Sequence, residues 1–248
     1  MKKILLGILT FMLCNTLYAA EIKTIRFATE ATYPPFEFVD ESGQIRGFDI
    51  DIANALCKEL KAQCTFYNQS FNSLIPSLKI GKFDALISAL GVTAERQKQV
   101  AFTHSYYEPS GSFVAATDKH YTLTDLTGKV IGVQQSSTLE KYVQDKYRNQ
   151  VKVKTYASIQ DAFLDLISGR VDLVLADTPI ALAWIKQNNS MKYTIVDKPI
   201  IDHQYFGAGY GIAVNQKNTE LLSALNGALT TIKANGTYDK ITQQYFGK

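Results

Sequence analysis

Cysteine and histidine are scarce in this chain, and their scarcity argues against a metal-dependent function. The 248 residues include three cysteines and three histidines. His104, His120 and His203 are scattered along the sequence, without the close spacing that protein metal sites use for their ligands. We therefore expect no metal site and no cofactor.

The chain also lacks any run of charge of one sign. The formal net charge is +3, and no basic run or stripe of the kind that binds nucleic acid stands out. We therefore expect no nucleic-acid partner. The composition is that of an ordinary globular protein without low-complexity segments, and the length suits one large domain or two lobes.

Long hydrophobic runs are absent, and the one apolar stretch at the N-terminus is too short to span a bilayer. Lys2 and Lys3 precede this stretch, residues 4–13, and small residues follow it up to Ala20. That order is typical of a secretory signal peptide. We predict that residues 1–19 are removed and that a soluble protein remains in the periplasm. Its net charge falls from +3 to +1, because two lysines and no acid leave with the signal.

The three cysteines divide between the predicted signal peptide and the mature chain. Lipid attachment at Cys14 is disfavoured, because Met12 and Leu13 before it are not the small residues that lipidation signals use. Removal of the signal leaves Cys57 and Cys64, an even pair in an oxidising compartment. We predict a disulfide that stabilises the fold by about 2–3 kcal/mol. Two free buried thiols are the alternative.

Short strand-like runs alternate with helical patterns, which favours an α/β fold of parallel sheets with crossover helices. The predicted strands are Thr24–Thr29 and residues 84–88, 130–133, 151–156 and 171–176. Helices are predicted to begin near Phe48, Ser158, Thr178, Leu222 and Tyr238. In the first of these helices, Asp49 stands where an N-cap residue belongs.

Two series of such units predict two lobes. The likeliest crossings between them are residues 109–112 and the glycine cluster at residues 207–211. These crossings give a discontinuous first lobe, residues 20–110 and 209–248, and a second lobe, residues 111–208. Glycine-rich crossings suit hinge closure, although ordinary surface turns would give the same pattern.

Arg96 and Asp177 are charged residues that follow apolar runs, and together they suit a zwitterion. A guanidinium grips a carboxylate through two hydrogen bonds, and a carboxylate holds an ammonium. In open α/β sheets, ligands bind beyond the carboxyl ends of the strands, which is where both residues fall. The alternative is that they are two solvated charges with no common site.

Five short motifs resemble those of periplasmic solute-binding proteins for polar amino acids. They are residues 32–38 (TYPPFEF), 47–51 (GFDID), 74–78 (LIPSL), 93–96 (TAER) and 235–238 (NGTY). The nearest likeness is to the arginine-binding and the lysine/arginine/ornithine- or histidine-binding receptors of ATP-driven importers, in solute-binding protein family 3. Residues 27–36 look most like the arginine branch. The resemblance implies the two-lobed, hinged, type II periplasmic-binding-protein fold, with the ligand between the lobes and a Cys57–Cys64 disulfide.

The resemblance also implies which residues bind the ligand carboxylate. Arg96 would grip it, helped by the region of Thr93 and by backbone N–H groups at Ser137 and Thr138. These last two residues open a helix, whose unsatisfied N–H groups and dipole favour an anion.

The ligand ammonium would be held by Asp177 and by the backbone around Ser88 and Ala89. Relatives often carry a serine or an aspartate where this chain has Gly91. Glycine offers only its backbone carbonyl there, so either Asp177 takes more of this contact or a water substitutes.

The remaining contacts would select the ligand side chain. Tyr33 and Phe71 match the two aromatic positions that sandwich it in the basic-amino-acid branch, where a guanidinium gains about 1–2 kcal/mol from cation–π contact. Glu30 could pair with the distal cation, and Gln135 could touch the distal end of the ligand. The alternative makes Tyr33 and Phe71 core packing and Glu30 a surface acid.

The expected function is a monomeric periplasmic receptor that captures a basic amino acid, arginine first, and delivers it to the membrane subunits of an ABC importer. Lysine, ornithine and histidine stay open as ligands. The competing hypothesis is an exported enzyme that resembles cyclohexadienyl dehydratases and shares this fold, with Glu30 as its acid or base.

Overall fold

A computed structural model describes residues 22–188 and 192–247. The predicted signal peptide, residues 1–19 with Cys14, lies outside these ranges. Among the helices of the described ranges, none combines the length and the apolar character that crossing a membrane requires.

The described chain alternates between strands and helices as the sequence predicts. The strands are β1 Thr24–Thr29, β2 Thr32–Tyr33, β3 Glu37–Val39, β4 Ile45–Arg46, β5 Gln63–Asn68, β6 Ala85–Leu86, β7 Ala101–Phe102, β8 Gly111–Ala116, β9 Val130–Gln134, β10 Lys152–Tyr156, β11 Leu173–Asp177, β12 Tyr193–Ile200 and β13 Ala213–Val214. The α-helices are α1 Phe48–Glu59, α2 Leu74–Lys79, α3 Ala94–Gln97, α4 Thr138–Lys146, α5 Ile159–Ile167, α6 Thr178–Gln187, α7 His203–Phe206, α8 Thr219–Ala234 and α9 Thr237–Phe246.

The strands form two five-stranded sheets, one in each lobe, and a small sheet of β2, β3 and β4. The first large sheet has the order β5-β1-β6-β13-β7, and the second has the order β10-β9-β11-β8-β12. Because β13 comes from the far end of the chain, the first lobe is discontinuous, and the whole second sheet lies between its two parts in sequence. The molecule is therefore a two-lobed α/β protein.

The sheets are mixed rather than wholly parallel. Strands β1, β5 and β6 run parallel, as do β9, β10 and β11. Strands β8 and β13 run antiparallel to their neighbours, so the expectation of parallel sheets is wrong for these two. Each follows a crossing between the lobes, with no crossover helix to return the chain in the parallel direction.

The two crossing segments lie side by side between the lobes. Tyr107, just before the first crossing segment, pairs with Tyr210 of the second. Gly209 has a φ of 111°, and a Cβ atom there would lie 1.8 Å from the Oγ of Ser105. Glycine is required at this position, because a side chain would drive the two segments apart.

The first sheet is buried on both faces, which fixes the register of its strands. Ile25 and Phe27 of β1 belong to the hydrophobic cluster that includes α1. Ala28 packs on the opposite face in a second cluster, with Leu74 and Leu78 of α2. Side chains that alternate between two helix-covered faces hold the strand in one register.

Helix α1 corrects one expectation at its beginning. Its N-cap is Gly47, not Asp49. Asp49 is fully buried, and its Oδ2 accepts the backbone N–H of Ala89 at 2.7 Å and the hydroxyl of Tyr106 at 2.8 Å. The side chain therefore fixes a distant loop instead of capping its own helix.

Cys57 and Cys64 form a disulfide, as predicted. It joins the last turn of α1 to β5, and the two sulfur atoms are 2.07 Å apart. The alternative of two free thiols is excluded. The disulfide closes a short loop and ties the carboxyl-terminal end of α1 to the edge strand of the first sheet.

Candidate functional site

Four parallel strands, two from each sheet, end at one pocket between the lobes. Glu30 directly follows β1, and Ser88 lies just after β6. Gln134 and Asp177 are the last residues of β9 and β11. The pocket encloses about 330 Å³ of empty space, which includes part of its open mouth. Its lining consists of Glu30, Tyr33, Glu37, Phe71, Ser88, Ala89, Arg96, Gln134, Ser137, Thr138, Leu139 and Asp177.

Nine of the twelve residues predicted to bind ligand line this pocket. Arg96 and Asp177 share it, so the alternative of two solvated charges on separate surfaces does not hold. Three predicted residues lie outside the lining, namely Gly91, Thr93 and Gln135.

The pocket also contains residues that the sequence prediction missed. Gln135 is exposed, and the neighbouring Gln134 is buried in the lining instead. Asp177 is predicted as a site residue because it ends an apolar run. Gln134 also ends an apolar run, so the same rule would have predicted Gln134. Glu37 is buried between the aromatic residues Phe36 and Phe38 of the sequence. An acidic residue between two aromatic residues is the sequence signal that could have marked Glu37 as a pocket residue.

Arg96 stands at one end of the pocket and reaches across to the second lobe. Its Nη1 donates to the carbonyl of Gly91 at 3.0 Å, and its Nη2 donates to the carbonyl of Ser136 at 3.1 Å. The guanidinium carbon lies 5.5 Å from the centre of the Phe71 ring. Burial lowers the pKa of Arg96 to about 10, so the side chain is a cation at physiological pH.

Thr93 and Gly91 act on Arg96 rather than on the pocket itself. The hydroxyl of Thr93 accepts the backbone N–H of Arg96 at 3.2 Å and so caps helix α3. A Cβ atom at Gly91 would lie 2.7 Å from the carbonyl oxygen of Phe206. This close approach of the two lobes leaves no room for a side chain at Gly91.

Asp177 lines the same pocket as Arg96. It is the N-cap residue of α6, yet its side chain makes no capping hydrogen bond. Instead its Oδ2 accepts the hydroxyl of Tyr33 at 2.5 Å. Burial raises the pKa of Asp177 to about 6, while the hydrogen bond from Tyr33 and the charge of Arg96 act to lower it. The carboxylate is thus poorly hydrated and lacks a full counter-charge.

Glu30 is 5% exposed, so the alternative of a surface acid does not hold. Its carboxylate accepts hydrogen bonds from the hydroxyl of Thr32 and, at 3.2 Å, from the Nε2 of Gln134. Burial raises its pKa to about 7. Gln134 belongs to the second lobe, so this contact also joins the two lobes.

The turn after β6 forms the floor of the pocket. The Oγ of Ser88 accepts the backbone N–H of Glu30 and donates to the Oε1 of Glu37, both at 3.0 Å. Ala89 has a φ of 42°, a left-handed conformation that a non-glycine residue seldom adopts. Its N–H donates to Asp49. Two buried acids, Glu37 and Asp49, therefore hold this turn in place through hydrogen bonds.

Helix α4 begins at the mouth of the pocket. The hydroxyl of Ser137 accepts the N–H of Glu140 at 3.0 Å and caps the helix. The N–H of Ser137 itself donates to the carbonyl of Gln134 over 3.4 Å. The amides of Thr138 and Leu139 in the first turn face the pocket region without a partner inside the helix. They can receive an anion.

Comparison with known proteins decides the family. A sequence profile of the bacterial extracellular solute-binding proteins, family 3, matches residues 25–248. The chain belongs to this family. It is 47% identical over 246 residues to the ABC transporter arginine-binding protein 1 of Escherichia coli K12, with 99% of each chain covered.

Solved members of similar fold include binding proteins and an ancestor of an enzyme. A periplasmic binding protein of Salmonella typhimurium, described as highly specific for arginine, matches with a TM-score of 0.86 and 43% identity. The match covers 90% of this family 3 chain and 99% of that chain. An ancestral amino-acid-binding protein, described as a precursor of cyclohexadienyl dehydratase, matches with a TM-score of 0.80 and 31% identity, covering 90% and 97% of the two chains.

The lining of this family 3 pocket is a mixed set of charged, polar and aromatic side chains. Across residues 22–188 and 192–247, no group of three or more histidine, cysteine or acidic side chains is arranged to hold a metal ion. The pocket instead combines one guanidinium, carboxylates, an amide and two aromatic rings.

Proposed function

We propose that this protein is a periplasmic receptor that captures a basic L-amino acid, arginine first, and delivers it to the membrane subunits of an ABC importer. One observation carries the proposal. Arg96 shares a single pocket with the buried acids Asp177 and Glu30, at the carboxyl ends of strands from both lobes. This is one cation and two acids for a ligand with one carboxylate and two cations.

The ligand is expected to bind along the line from Arg96 to Glu30. Arg96 and the amide of Thr138 receive the carboxylate, because a guanidinium and a helix N-terminus both favour an anion. Asp177, with the Ser88–Ala89 turn beneath it, receives the α-ammonium.

The guanidinium of the ligand is expected to lie at the other end of the pocket. Tyr33 and Phe71 supply two aromatic faces, and a desolvated cation between such faces gains about 1–2 kcal/mol. Glu30 supplies the counter-charge, and Gln134 fixes the orientation of Glu30. Arginine is favoured over lysine, since a planar guanidinium both stacks and forms paired hydrogen bonds.

Capture is expected to close the lobes. Ligand contacts from both lobes stabilise the closed form more than the open one, which shifts the population towards closure. The proposed lobes are residues 20–110 with 209–248 and residues 111–208, and the proposed export signal is residues 1–19. The receptor works as a monomer in the periplasm, and its closed form is what the importer recognises.

Calorimetric titration of ligand-free protein with each of the twenty amino acids and with ornithine tests the proposal. Arginine should bind tightest and lysine, ornithine or histidine more weakly. Binding of an acidic or aromatic amino acid in preference to arginine would contradict the assignment.

An enzyme is the second candidate, and one observation favours it. Glu30 is buried in the pocket with a pKa of about 7, which suits a general acid or base. Incubation of pure protein with prephenate or arogenate distinguishes the two. A receptor leaves both compounds unchanged, whereas a dehydratase consumes them.

A further inference from the structure

Two buried acids meet behind the floor of the pocket, and neither has a cationic partner. Glu37 of β3 is 1% exposed and Asp49 of α1 is 0% exposed. The two acids bind neighbouring residues of one turn, Ser88 and Ala89, and each carboxyl group acts on the pKa of the other. In the described part of the chain, none of the ion pairs involves either residue.

The hydrogen bonds of the two groups account for only half of their oxygen atoms. The Oε1 of Glu37 accepts from Ser88, and the Oδ2 of Asp49 accepts from Ala89 and Tyr106. The other two oxygens, the Oε2 of Glu37 and the Oδ1 of Asp49, are buried, and no donor among the described residues reaches them. Two ionised carboxylates would therefore leave two buried acceptors without a donor, which is costly.

A single proton between these two oxygens removes the conflict. We propose that Glu37 and Asp49 form a carboxylic acid–carboxylate pair that shares one proton and positions the Ser88–Ala89 turn under the bound amino acid. Glu37 then donates to Asp49, while its other oxygen accepts from Ser88. Asp49, which accepts hydrogen bonds from Ala89 and Tyr106, then holds Ala89 in its left-handed conformation.

The surroundings of the pair favour this protonation. Glu30 faces it across the pocket floor, and the hydroxyls of Tyr33 and Tyr106 are the other titratable groups beside it. Burial, followed by the charges of Asp49 and Glu30, holds the pKa of Glu37 well above its usual range. Burial raises the pKa of Asp49 to about 6. A second full negative charge at this place would have no cation to meet it.

This inference rests on the proposed function for the identity of the ligand, but its first test needs no ligand. The test is urea unfolding of ligand-free protein between pH 5 and pH 7. A proton that is bound in the native state and released on unfolding makes the protein less stable as pH rises. Glu37→Gln carries the same two hydrogen bonds permanently, because its amide donates to Asp49 and its carbonyl accepts from Ser88.

The wild-type unfolding constant should therefore rise with pH more steeply than that of Glu37→Gln, by close to tenfold per pH unit. The matched control is Glu41→Gln, which removes an exposed acid from the adjoining loop and should keep the wild-type slope. Equal slopes for wild type and Glu37→Gln would overturn the proposal, since they would mean that Glu37 is ionised in the native state.

Arginine titration at pH 7 then tests the positioning role. Glu37→Gln should bind arginine within about threefold of wild type, whereas Glu37→Ala, which leaves Ser88 and Asp49 without their partner, should bind at least tenfold more weakly. Equal losses in the two variants would show that the pocket needs a charge on Glu37, and would overturn the shared proton. A protein that binds no amino acid would contradict the proposed function, while the unfolding slopes would still decide the pair.

Wild-type protein provides a measurement that does not depend on the folding of any variant. Carbon-13 NMR of the glutamate and aspartate carboxyl groups should show two buried glutamates whose pKa values lie above those of the others, Glu30 at about 7 and Glu37 well above its usual range. Only one of these two signals should be absent from Glu37→Gln. A spectrum in which Glu37→Gln lacks only a glutamate that titrates at ordinary pH would overturn the proposal.

Discussion

At the scale of single residues, the pocket is defined by charges that the protein leaves incompletely paired. A buried charge is costly unless an opposite charge or hydrogen bonds compensate for it. Burial raises the pKa values of Glu30 and Asp177, so both carboxylates bind a proton more readily than they would in water. A ligand with two cations would relieve both, so the proposed basic amino acid should fit this site better than a neutral one.

Arg96 and Asp177 form the proposed charge clamp on the ligand, and removal of either side chain should abolish binding. Arg96→Ala removes the partner of the ligand carboxylate, and Asp177→Ala removes that of the ammonium. Each loss leaves a desolvated ligand charge unpaired, which costs about 3 kcal/mol or more, so affinity should fall at least a hundredfold. Isothermal titration with arginine measures this.

Exposed residues of the same types provide the controls for these two variants. Arg148→Ala and Asp118→Ala change charged side chains on the surface and should leave the arginine affinity unchanged. Comparable losses in the controls would show that net charge, not the clamp, governs binding.

Glu30 should set the preference for a cationic side chain. Glu30→Gln keeps the shape and removes the charge, so arginine affinity should fall about tenfold to a hundredfold. Binding of glutamine should change less than threefold, because its side chain carries no charge. The exposed Glu59→Gln is the control. Parallel losses for arginine and glutamine would remove Glu30 from the specificity role.

At the scale of elements, the sequence predicts what depends on local pattern. The apolar periodicity of α1, the cap of α5 at Ser158 and the strand ends at Glu30 and Asp177 all follow from neighbouring residues. The rule that ligand sites of open α/β sheets lie at strand ends predicts Arg96 and Asp177. The other predicted residues of the pocket come from the resemblance to periplasmic amino-acid-binding proteins.

The remainder of the site depends on contacts that are distant in sequence. Asp49 has the type and position of a helix cap, but it bonds to Ala89, 40 residues away. Glu37 enters the pocket because Ser88, 51 residues away, lies against it. No local pattern reports such partners, which is why both acids escaped the sequence prediction.

The disulfide should matter for the stability of α1 and not for the ligand. The bond joins the end of α1 that is remote from Phe48 and Asp49, which lie nearer the pocket. Cys57→Ser with Cys64→Ser should lower the free energy of unfolding by about 2.5 kcal/mol, through the entropy of the unfolded chain. Urea unfolding measures this loss, and the arginine affinity should stay within twofold. A large loss of affinity would mean that the bond shapes the site.

At the scale of the whole molecule, binding should be linked to pH. The cations of arginine favour the ionised forms of Glu30 and Asp177, whose pKa values in the free protein are about 7 and about 6. Binding therefore releases protons, and affinity rises with pH until both groups are ionised in the free protein. Between pH 5.5 and pH 8, the affinity should increase at least tenfold.

Titration calorimetry in buffers of different ionisation enthalpy measures the released protons directly. Near pH 6.5 the wild-type protein should release about one proton, and Glu30→Gln should release less. Uptake of protons by the wild-type protein would contradict the direction of this linkage.

The order of strands also constrains how the chain can acquire its shape. Strand β13, near the carboxyl end, fills the gap between β6 and β7. The amino-terminal lobe therefore cannot complete its sheet until nearly the whole polypeptide has been synthesised, whereas the strands of the intervening lobe are contiguous between Gly111 and Ile200. Pairings of such wide sequence separation form slowly. Late completion of this sheet suits the proposed export, in which the chain would cross the membrane before it folds.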